Sequence, residues 1–478
     1  MDRWIVPERI AVLRRGKKRI LFNPAAVNPL YFPRGGEEAL ALLNSLRRRG
    51  PVAGPPAGLC EPPLFDFLRG HALIVPETGA PELHPRSDAR TQPRPSTSLY
   101  LLLCQSCNQS CIYCYNGRET YKRDRGIRMP RELAFRAVRQ TLARLPAGGR
   151  LDLVFFGGEP LLNWPLAREI FRFGDEELKP AESGKEISYH LTSNLTILPD
   201  DLIPLARRHK MTFLVDVDGP PEIHNLTRPF RDGAPSFAVT AGNLRKLVDA
   251  GFPVSLRATV TSHNVERMVE VAQVHKDLGG AGCAFVGLNP VDSDGALLPL
   301  ALCPSPKLFA RGLRKVYRSG IWPVEDLFPY NEYLAHMQPG YRNSCGCGAP
   351  YGNTPVVGAD GKMYSCIYLV GDPRYEIGDL AAEDYPRAEP LARMRQALDV
   401  DQRERCRGCD VRYLCGGGCP VGVLSVGGNP NASPELKRYA EEEACAVSRT
   451  VIEDLLWAAA ATPEVRDLAA ARPKPVCV

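Results

Sequence analysis

The chain of 478 residues lacks the features that would place it in a membrane, in an export pathway or on nucleic acid. It contains no apolar run of roughly eighteen residues, which excludes an ordinary membrane-spanning helix. No cationic start is followed by an apolar segment, so secretion is not indicated. Lys and Arg form no dense run beside aromatic residues, and the formal charge is only +6. We therefore expect a cytoplasmic protein with neither nucleic-acid nor membrane partners.

Cysteine is abundant instead, with sixteen residues. A reducing compartment disfavours so many disulfides, which shifts the expectation towards metal or cluster ligands. Eleven of the cysteines form tightly spaced motifs. We expect the other five to be small buried hydrophobes, although Cys104 is ambiguous because it lies three residues before the first motif. These five are Cys60, Cys104, Cys283, Cys303 and Cys477.

The first motif is a loop that reads Cys-Asn-Gln-Ser-Cys-Ile-Tyr-Cys and contains Cys107, Cys111 and Cys114. Three thiolates at this spacing can bind three irons of a 4Fe-4S cluster and leave the fourth iron open. A zinc site or a group of reduced buried thiols would also use three nearby cysteines. The motif resembles the signature of radical S-adenosylmethionine (SAM) enzymes, in which the open iron binds SAM. The resemblance implies cleavage of SAM to a 5'-deoxyadenosyl radical, and contact of Tyr113 with the adenine.

Strands and helices alternate from Ser98 to about residue 318, which predicts an α/β fold with a parallel sheet. Functional groups then gather where the strands end. In radical SAM enzymes six such units form a partial (β/α)6 TIM-like barrel, and the cysteine loop follows the first strand, as here. The predicted strands are Ser98–Leu103, Leu151–Phe156, Ile187–Thr192, Thr212–Val217, Val254–Thr259 and Ala284–Leu288. The predicted helices include Arg131–Leu145, Pro199–Arg208, Phe237–Ala250 and Val265–Leu278.

The second predicted strand ends in Gly157-Gly158-Glu159-Pro160, which resembles the GGEP motif of the same family. Glycines let the backbone approach a ligand closely, and main-chain groups here, with Glu159, would accept hydrogen bonds from the SAM ammonium group. After the third strand, Ser193 and Asn194 either bind a ribose or a carboxylate or form an ordinary turn.

The fourth strand leads into Val215-Asp216-Val217-Asp218-Gly219-Pro220, which is similar to the family's Ser-Leu-Asp-Gly-Pro stretch. By that match Arg228 would bind the SAM carboxylate through its guanidinium group. Asp216 stands where relatives have serine and would accept hydrogen bonds from ribose hydroxyls.

Three further positions follow from the order of the strands. Arg257, within the fifth strand, is either a second active-site cation or, as we prefer, a member of a buried ion pair. His224 is expected to be a structural hydrogen-bonding residue. Leu288, at the end of the sixth strand, would pack on the adenine by position.

The last third of the chain carries eight cysteines whose spacing resembles the SPASM extension of radical SAM proteins, which holds two auxiliary 4Fe-4S clusters. The resemblance implies an inner cluster on Cys345, Cys347, Cys366 and Cys419 and an outer cluster on Cys406, Cys409, Cys415 and Cys445. Cys345 is the least certain ligand, because a C-x-C pair strains two ligands on one cluster. Without it the inner cluster keeps an open iron that could bind a substrate thiolate. Two zinc sites would also account for eight cysteines, but they give no reason for the three-cysteine motif that begins at Cys107.

The N-terminal segment alternates short predicted strands (Ile10–Leu13, Arg19–Phe22 and Ala72–Val75) with a predicted helix at Glu37–Arg48. It resembles the winged-helix modules that bind the substrate leader in enzymes that modify ribosomal peptides; a plain structural extension is the alternative. The predicted units are 1–95, peptide recognition; 96–320, the radical SAM core; 321–340, a bridge; 341–450, the SPASM domain; and 451–478, a helix with a tail.

The resemblance implies a peptide maturase with three 4Fe-4S clusters and SAM. It would install a thioether or carbon-carbon cross-link in a ribosomally made precursor peptide, and would need an electron donor such as flavodoxin or ferredoxin. A maturase of a protein subunit or of a peptide-derived cofactor is the alternative. An anaerobic sulfatase maturase is less expected, because those enzymes carry an aspartate where this chain has Ile367. The catalytic base is not assigned.

Overall fold

The computed structural model of the chain describes residues 3–24, 30–32, 36–56, 58, 60–77, 96–116, 127–291, 296–337, 343–382 and 386–461. The N-terminal part is a three-stranded antiparallel sheet followed by two helices. Its strands are β1 (Trp4–Ile5), β2 (Ala11–Arg15), β3 (Lys18–Phe22), β4 (Leu30–Phe32) and β5 (Val75–Pro76), and its helices are α1 (Glu37–Arg49) and α2 (Pro62–Gly70). Strands β2, β3 and β4 form the sheet, and β1 pairs with β5.

Seven strands follow in sequential order and pair in parallel to form the central sheet. They are β6 (Ser96–Cys104), β7 (Arg150–Gly157), β8 (Glu186–Ser193), β9 (Thr212–Asp216), β10 (Val254–Val260), β11 (Gly282–Gly287) and β12 (Leu327–Phe328). The accompanying helices are α3 (Arg131–Arg144), α4 (Trp164–Phe173), α5 (Leu202–Arg208), α6 (Pro221–Thr227), α7 (Phe237–Asp249), α8 (Met268–Asp277) and α9 (Pro306–Ser319). Apolar runs such as Leu153–Phe156 are buried on both faces, as parallel sheets require.

The C-terminal part continues the same sheet beyond β6. Strand β13 (Val356–Val357) pairs in parallel with β6, and β14 (Lys362–Tyr364) and β15 (Glu376–Asp379) add antiparallel strands. The ten strands therefore form one sheet that runs from β12 to β15. The remaining helices are α10 (Tyr330–His336), α11 (Ala388–Leu398), α12 (Glu404–Arg407), α13 (Arg412–Cys415) and α14 (Pro434–Ala461).

Helix α14 joins the two ends of the chain through a shared core. Leu455 and Trp457 pack in one apolar cluster with Leu13 and Phe22 of the N-terminal sheet. The carboxylate of Asp454, which is almost fully buried, accepts hydrogen bonds from Arg15 at 2.7 Å and from Arg314 at 2.8 Å. The N-terminal unit is thus packed against the C-terminal helix rather than separate from the rest of the molecule.

The predicted mostly parallel α/β fold is confirmed, with each of the six predicted strands present in the sheet. Three details differ. The predicted strand at Ala72–Val75 shortens to β5, because Ala72 adopts a left-handed φ of 52°. The predicted helix from residue 265 begins as a 3-10 turn before α8. The C-terminal helix begins at Pro434, where the Ser433 hydroxyl accepts a hydrogen bond from the Leu436 N–H, so the predicted boundary at residue 450 falls inside α14.

None of the helices in the described part of the chain combines the length and the apolarity of a membrane-spanning helix.

Candidate active site

The cysteine loop follows β6 at the carboxyl end of the central sheet. The thiols of Cys107, Cys111 and Cys114 lie near enough to raise one another's pKa. Burial raises the pKa of Cys107 to about 12, and the charge of Glu159 adds to this effect. Burial also raises the pKa of Cys111 well above its ordinary value. Such a pocket disfavours free thiolates and suits thiolates that are neutralised by a metal centre.

Among the described residues, no group of three or more His, Cys, Asp or Glu side chains is placed to hold a single metal ion. Zinc draws its ligands to about 2.3 Å from one centre, whereas each thiolate of a 4Fe-4S cluster binds a different iron.

The Gly157 turn at the end of β7 is joined to the base of the cysteine loop. Gly157 has a φ of 134°, and a Cβ atom there would overlap the Cys104 carbonyl oxygen. The Gly158 N–H donates to the same oxygen at 2.8 Å, and the Glu159 N–H donates to the Ser106 carbonyl at 2.9 Å. Only glycine permits this approach, so the turn and the loop are held together.

The Glu159 carboxylate is directed into the protein. It is fully buried and accepts hydrogen bonds from Ser193 Oγ at 2.8 Å, the Asn194 N–H at 2.9 Å and the Leu161 N–H at 3.0 Å. Burial raises the pKa of Glu159 to about 7, although these three donors lower it. The carboxylate therefore connects the ends of β7 and β8. The Glu159 carboxylate is thus engaged inside the protein, and the predicted contact of this turn with the SAM ammonium group stays a prediction.

The two polar residues after β8 differ in their surroundings. Ser193 Oγ also accepts from the Leu195 N–H at 2.8 Å, so its hydroxyl is engaged inside the protein. Asn194 Nδ2 lies 3.7 Å from Cys107 Sγ and 3.0 Å from Asn108 Oδ1. Asn194 is thus the one that contacts the cysteine loop, while Ser193 supports the turn.

Two arginines and two aspartates form a buried network at the ends of β9 and β10. Asp216 accepts hydrogen bonds from Arg257 Nε at 2.7 Å and Arg257 Nη2 at 3.2 Å, and Arg228 Nη1 lies 3.3 Å from it. Arg228 Nε lies 3.0 Å from the Asp218 carboxylate. Burial alone would raise the pKa of Asp216, but the charges of Arg228 and Arg257 outweigh it and hold the pKa below its ordinary value. The preferred prediction for Arg257, a buried ion pair, is confirmed.

This network reaches the cysteine loop through Arg228 and Tyr113. Arg228 Nη1 lies 3.9 Å from Cys111 Sγ, and its guanidinium carbon lies 5.3 Å from the centre of the Tyr113 ring. The Tyr113 hydroxyl donates to Asp218 at 2.5 Å. Tyr113 also packs in a small apolar cluster with Leu288. Arg228, Tyr113 and Leu288, which are predicted to bind SAM, thus lie close to one another and to Cys111.

The eight C-terminal cysteines separate into two groups and one outlier. Cys347 and Cys366 contribute to the raised pKa of Cys419, and Cys347 contributes to that of Cys366. In the second group, Cys409 and Cys445 contribute to the raised pKa values of Cys406 and Cys415, and Cys409 contributes to that of Cys445. Cys345 is buried in the central core, where its thiol donates to the Arg395 carbonyl oxygen at 3.6 Å. Cys345 thus differs from Cys347, which is exposed, and its place in the predicted inner cluster stays a prediction.

The scattered cysteines also have clear positions. Cys60, Cys104 and Cys283 are buried, as expected for small apolar side chains. Cys303 packs beside Tyr113 and Leu288, and its pKa, which burial raises to about 11, is influenced by Glu443. Cys477 lies outside the described residues.

Two residues near the site carry no sequence motif. The Glu443 carboxylate, on α14, lies against Gly287 at the end of β11, where a Cβ atom would overlap its Oε1. Burial raises the pKa of Glu443 to about 7, and the charge of Glu443 contributes to the raised pKa of Cys419. Burial raises the pKa of the Tyr368 hydroxyl, Cys419 and Cys366 add to this effect, and Arg257 opposes it. Both residues are therefore near the inner cysteines, and no sequence signal identified them because they are distant in the chain.

Comparison with known families assigns the class of protein. The sequence model of the Radical SAM superfamily matches residues 101–292, which include the cysteine loop, the Gly157 turn and the Arg228 network. The chain therefore contains a radical SAM domain and is an enzyme.

Its relatives among curated proteins include two kinds of enzyme. The serine-type anaerobic sulfatase-maturating enzyme of Klebsiella pneumoniae is 24% identical over 352 residues, which cover 71% of this chain and 86% of that protein. The radical SAM cyclopropyl synthase TigE of Paramaledivibacter caminithermalis is 24% identical over 161 residues, 31% of this chain and 32% of that protein.

Two solved structures show the same fold. The structure described as native anSMEcpe with bound AdoMet and Cp18Cys peptide has a TM-score of 0.61 and 19% identity, and the match covers 78% of this chain and 99% of that one. Streptococcus suis SuiB bound to the precursor peptide SuiA has a TM-score of 0.51 and 15% identity, with 89% and 97% covered.

Proposed function

We propose that this enzyme is a peptide maturase that abstracts a hydrogen atom from a ribosomally made precursor peptide and installs a thioether or carbon-carbon cross-link. When bound, the 4Fe-4S cluster supplies the electron that cleaves SAM to methionine and a 5'-deoxyadenosyl radical. In this proposal Cys107, Cys111 and Cys114 hold that cluster. The observation that carries the proposal is the position of Arg228 and Asn194, which contact Cys111 and Cys107 respectively.

The residues around the loop would bind the two ends of SAM. The guanidinium group of Arg228 is held by Asp216 and Asp218, so its direction is fixed before SAM binds. It would bind the SAM carboxylate. Tyr113 and Leu288 would exclude water from the adenine. The main-chain oxygens of Gly157 and Gly158 would accept from the ammonium group.

The C-terminal cysteines support two auxiliary clusters in this proposal. Cys347, Cys366 and Cys419 would hold the inner one, and the four cysteines of the second group would hold the outer one. Cluster potentials depend on ligands, hydrogen bonds and burial, so clusters in series suit the removal of an electron from the substrate. A reductant such as flavodoxin or ferredoxin would supply the SAM-binding cluster.

Two observations support a peptide as the substrate. Two solved structures of the same fold contain a bound peptide, the Cp18Cys peptide in one and the precursor peptide SuiA in the other. The N-terminal sheet and helices form a unit, packed on α14, that would bind the leader of such a peptide, in the manner of a winged-helix module. A cytoplasmic location fits a substrate made on the ribosome.

A sulfatase maturase is the second candidate, because curated relatives of that name match 71% of the chain. Ile367 follows Cys366, where the sequence resemblance calls for an aspartate. An isoleucine cannot accept a proton, so this chain would need another base for that reaction. A maturase of a protein subunit or of a peptide-derived cofactor has the same requirements as our first choice apart from its substrate.

The test is SAM cleavage by the anaerobically reconstituted full chain, followed as 5'-deoxyadenosine. We expect cleavage by the wild type and none by the variant with Cys107→Ala, Cys111→Ala and Cys114→Ala. Cys104→Ala is the matched control, because this buried cysteine lies three residues from the loop, and it should retain cleavage. Deoxyadenosine production by the triple variant would refute the assignment.

The substrate class is tested by co-expression with a small peptide encoded beside this gene. A loss of hydrogen from that peptide, detected by mass spectrometry, would support cross-linking. Conversion of a Cys or Ser side chain of a sulfatase to formylglycine would favour the second candidate instead.

A further inference from the structure

The hairpin formed by β2 and β3 carries a run of cations. Its turn region reads Arg-Arg-Gly-Lys-Lys-Arg from position 14 to position 19. The strand register places Arg15 directly opposite Lys18, and Arg14 directly opposite Arg19. Like charges that lie opposite each other on neighbouring strands are destabilising. The hairpin therefore holds positive charges together at a cost in stability.

Helix α9 presents a second row of cations on the face that is turned away from the core. The cations on this face are Lys307, Arg311, Arg314, Lys315 and Arg318. Four-residue spacing makes Arg311 a neighbour of Lys315, and Arg314 a neighbour of Arg318. Like charges at this spacing on a helix repel each other. The helix thus repeats the unfavourable arrangement of the hairpin.

The two rows meet at Asp454 of α14. Arg15 Nη2 donates to Asp454 Oδ1 at 2.7 Å, and Arg314 Nε lies 3.0 Å from the same oxygen. Tyr317 lies beside the junction, where burial raises its pKa and the charges of Arg15 and Arg318 oppose that effect. The hairpin and the helix therefore form one continuous positive area, which we call the basic surface.

Few carboxylates neutralise the basic surface. Its cations are Arg15, Lys17, Lys18, Lys307, Arg311, Arg314, Lys315 and Arg318. Within the described part of the chain, Arg15 and Arg314 pair with Asp454, and the other six form no ion pair. Asp454 is only 3% exposed, so it presents no negative charge to solvent. The eight cations exceed the formal charge of the whole chain, which is +6. A field of this kind attracts an anionic partner.

The aromatic rings beside the basic surface favour a polypeptide over a nucleic acid. Trp457 is 8% exposed, and the Arg15 guanidinium carbon lies 5.0 Å from the centre of its ring. Tyr317 stacks on Tyr330 with 4.5 Å between the ring centres. Single-stranded nucleic acids bind through bases that stack on open aromatic faces, and both of these rings are already covered. Carboxylates need only the cations.

We propose that the basic surface binds an acidic segment of the leader of the precursor peptide. The inference rests on the proposed function, which assigns the leader to the N-terminal unit, and it adds α9 and the chemistry that is recognised. Helix α9 spans about 17 Å from Lys307 to Arg318, so an extended segment of roughly five residues covers it. The leader carries Asp or Glu along that segment, and their carboxylates accept charge-assisted hydrogen bonds from the cations.

The binding test is fluorescence anisotropy of a fluorescein-labelled octaglutamate peptide with the reconstituted full chain at low salt. We expect binding by the wild type. The Kd should rise at least about tenfold in the hairpin variant, Lys17→Glu with Lys18→Glu, because reversing two charges replaces attraction with repulsion. The helix variant, Arg311→Glu with Lys315→Glu, should show the same rise independently.

The matched control is Arg48→Glu with Arg49→Glu, which changes the net charge equally. These arginines are exposed on α1, which packs on the opposite face of the N-terminal sheet from α14. The control should keep the wild-type Kd. A wild-type Kd in both surface variants would overturn the proposal. An equal loss of binding in the control would overturn it too, because net charge and not this surface would be responsible.

A labelled single-stranded oligonucleotide of equal charge is compared in the same assay. Weaker binding of the oligonucleotide than of octaglutamate supports a polypeptide partner, and tighter binding would overturn that assignment.

The role in peptide modification is tested with dithionite as the reductant. We expect the surface variants to raise KM for the precursor peptide and to leave kcat and deoxyadenosine production unchanged. An unchanged KM, with slower SAM cleavage only when flavodoxin is the reductant, would assign the surface to the electron donor and overturn the proposal. The anisotropy assay requires neither SAM nor peptide modification, so its result is independent of failure of the proposed function.

Discussion

At the scale of single residues, Asp216 and Arg257 have to be considered together. The family resemblance calls for a serine at position 216, and an aspartate there would bring an additional negative charge beside Asp218. Arg257 neutralises this charge through two hydrogen bonds at 2.7 and 3.2 Å. The pair leaves Arg228 positioned between two carboxylates and directed at the cysteine loop. We infer that Arg257 supports the SAM site by holding Asp216.

We expect Arg257→Met to lower the free energy of unfolding by roughly 3 kcal/mol, because removing one partner leaves a buried charge poorly compensated. The double variant Asp216→Ser with Arg257→Met should recover most of this loss, since both charges are removed together. Thermal unfolding under anaerobic conditions measures the stability of the single and the double variant. Arg267→Met is the control, because Arg267 forms its ion pairs at the surface. A double variant no more stable than Arg257→Met would contradict the pairing.

Glu443 is a second residue whose role depends on its neighbours. Among the described residues it forms no ion pair, although it lies between the end of β11 and Cys419. Its carboxylate is partly buried, and burial disfavours its charged form, so we expect it to bind a polar or cationic group of the peptide.

We predict that Glu443→Gln leaves SAM cleavage unchanged but lowers kcat/KM for peptide modification about ten- to a hundredfold, because a hydrogen bond to a charged group contributes about 1.5–3 kcal/mol. Glu442→Gln is the control, since Glu442 is exposed on the same helix. Parallel assays of deoxyadenosine and of modified peptide show whether SAM cleavage or peptide modification is affected. An equal fall in both products would show that Glu443 acts on SAM and not on the peptide.

At the scale of elements, α14 connects parts of the molecule that are distant in sequence. It carries Cys445 of the outer group, Glu443 at the end of β11 and Asp454 at the N-terminal sheet. Asp454 accepts hydrogen bonds from Arg15, Arg314 and Tyr330 and is 3% exposed. Its neighbour Glu453 pairs with Arg449 at the surface.

Asp454→Asn should loosen the N-terminal unit, because it leaves two arginines without their shared carboxylate. We expect faster cleavage of the N-terminal unit in limited proteolysis and a lower thermal midpoint. Glu453→Gln should change neither measurably, since exposed pairs contribute little. If both variants were cleaved at the wild-type rate, the Asp454 contacts would not hold the N-terminal unit.

At the scale of the whole molecule, one sheet and one core join the radical SAM domain to the cysteine-rich extension. Strand β13 extends the sheet from β6, the strand that leads into the cysteine loop. The core includes Leu101 of that strand together with Tyr351 and Met363 of the extension. The inner cysteines are therefore held at a fixed position relative to the loop, as the proposed transfer of an electron from the substrate to an inner cluster would require.

We predict that Cys409→Ala leaves SAM cleavage intact and stops formation of the modified peptide, because the outer cluster would be lost while the cysteine loop remains. Mass spectrometry of the peptide and chromatography of deoxyadenosine distinguish the two steps. Cys60→Ala, in the core of the N-terminal unit, should retain both activities. Normal product from Cys409→Ala would remove the outer cluster from the mechanism.

The sequence by itself determined the radical SAM class and the α/β fold. The spacing of residues along the chain is enough to predict both the class and the fold. Three cysteines on one short loop bring their thiolates close together, and alternating apolar segments specify strands and helices. It also identified Gly157 and Arg228, whose roles follow from short motifs.

Only the tertiary structure decided how distant segments combine. It buried the Glu159 carboxylate against Ser193, paired Asp216 with Arg257 and placed Glu443 at the end of β11. It also buried Cys345 while leaving Cys347 exposed, and it placed the left-handed Gly346 against the backbone of Gly418. Contacts of this kind depend on which surfaces pack together after the chain folds, and residue spacing along the chain does not encode them.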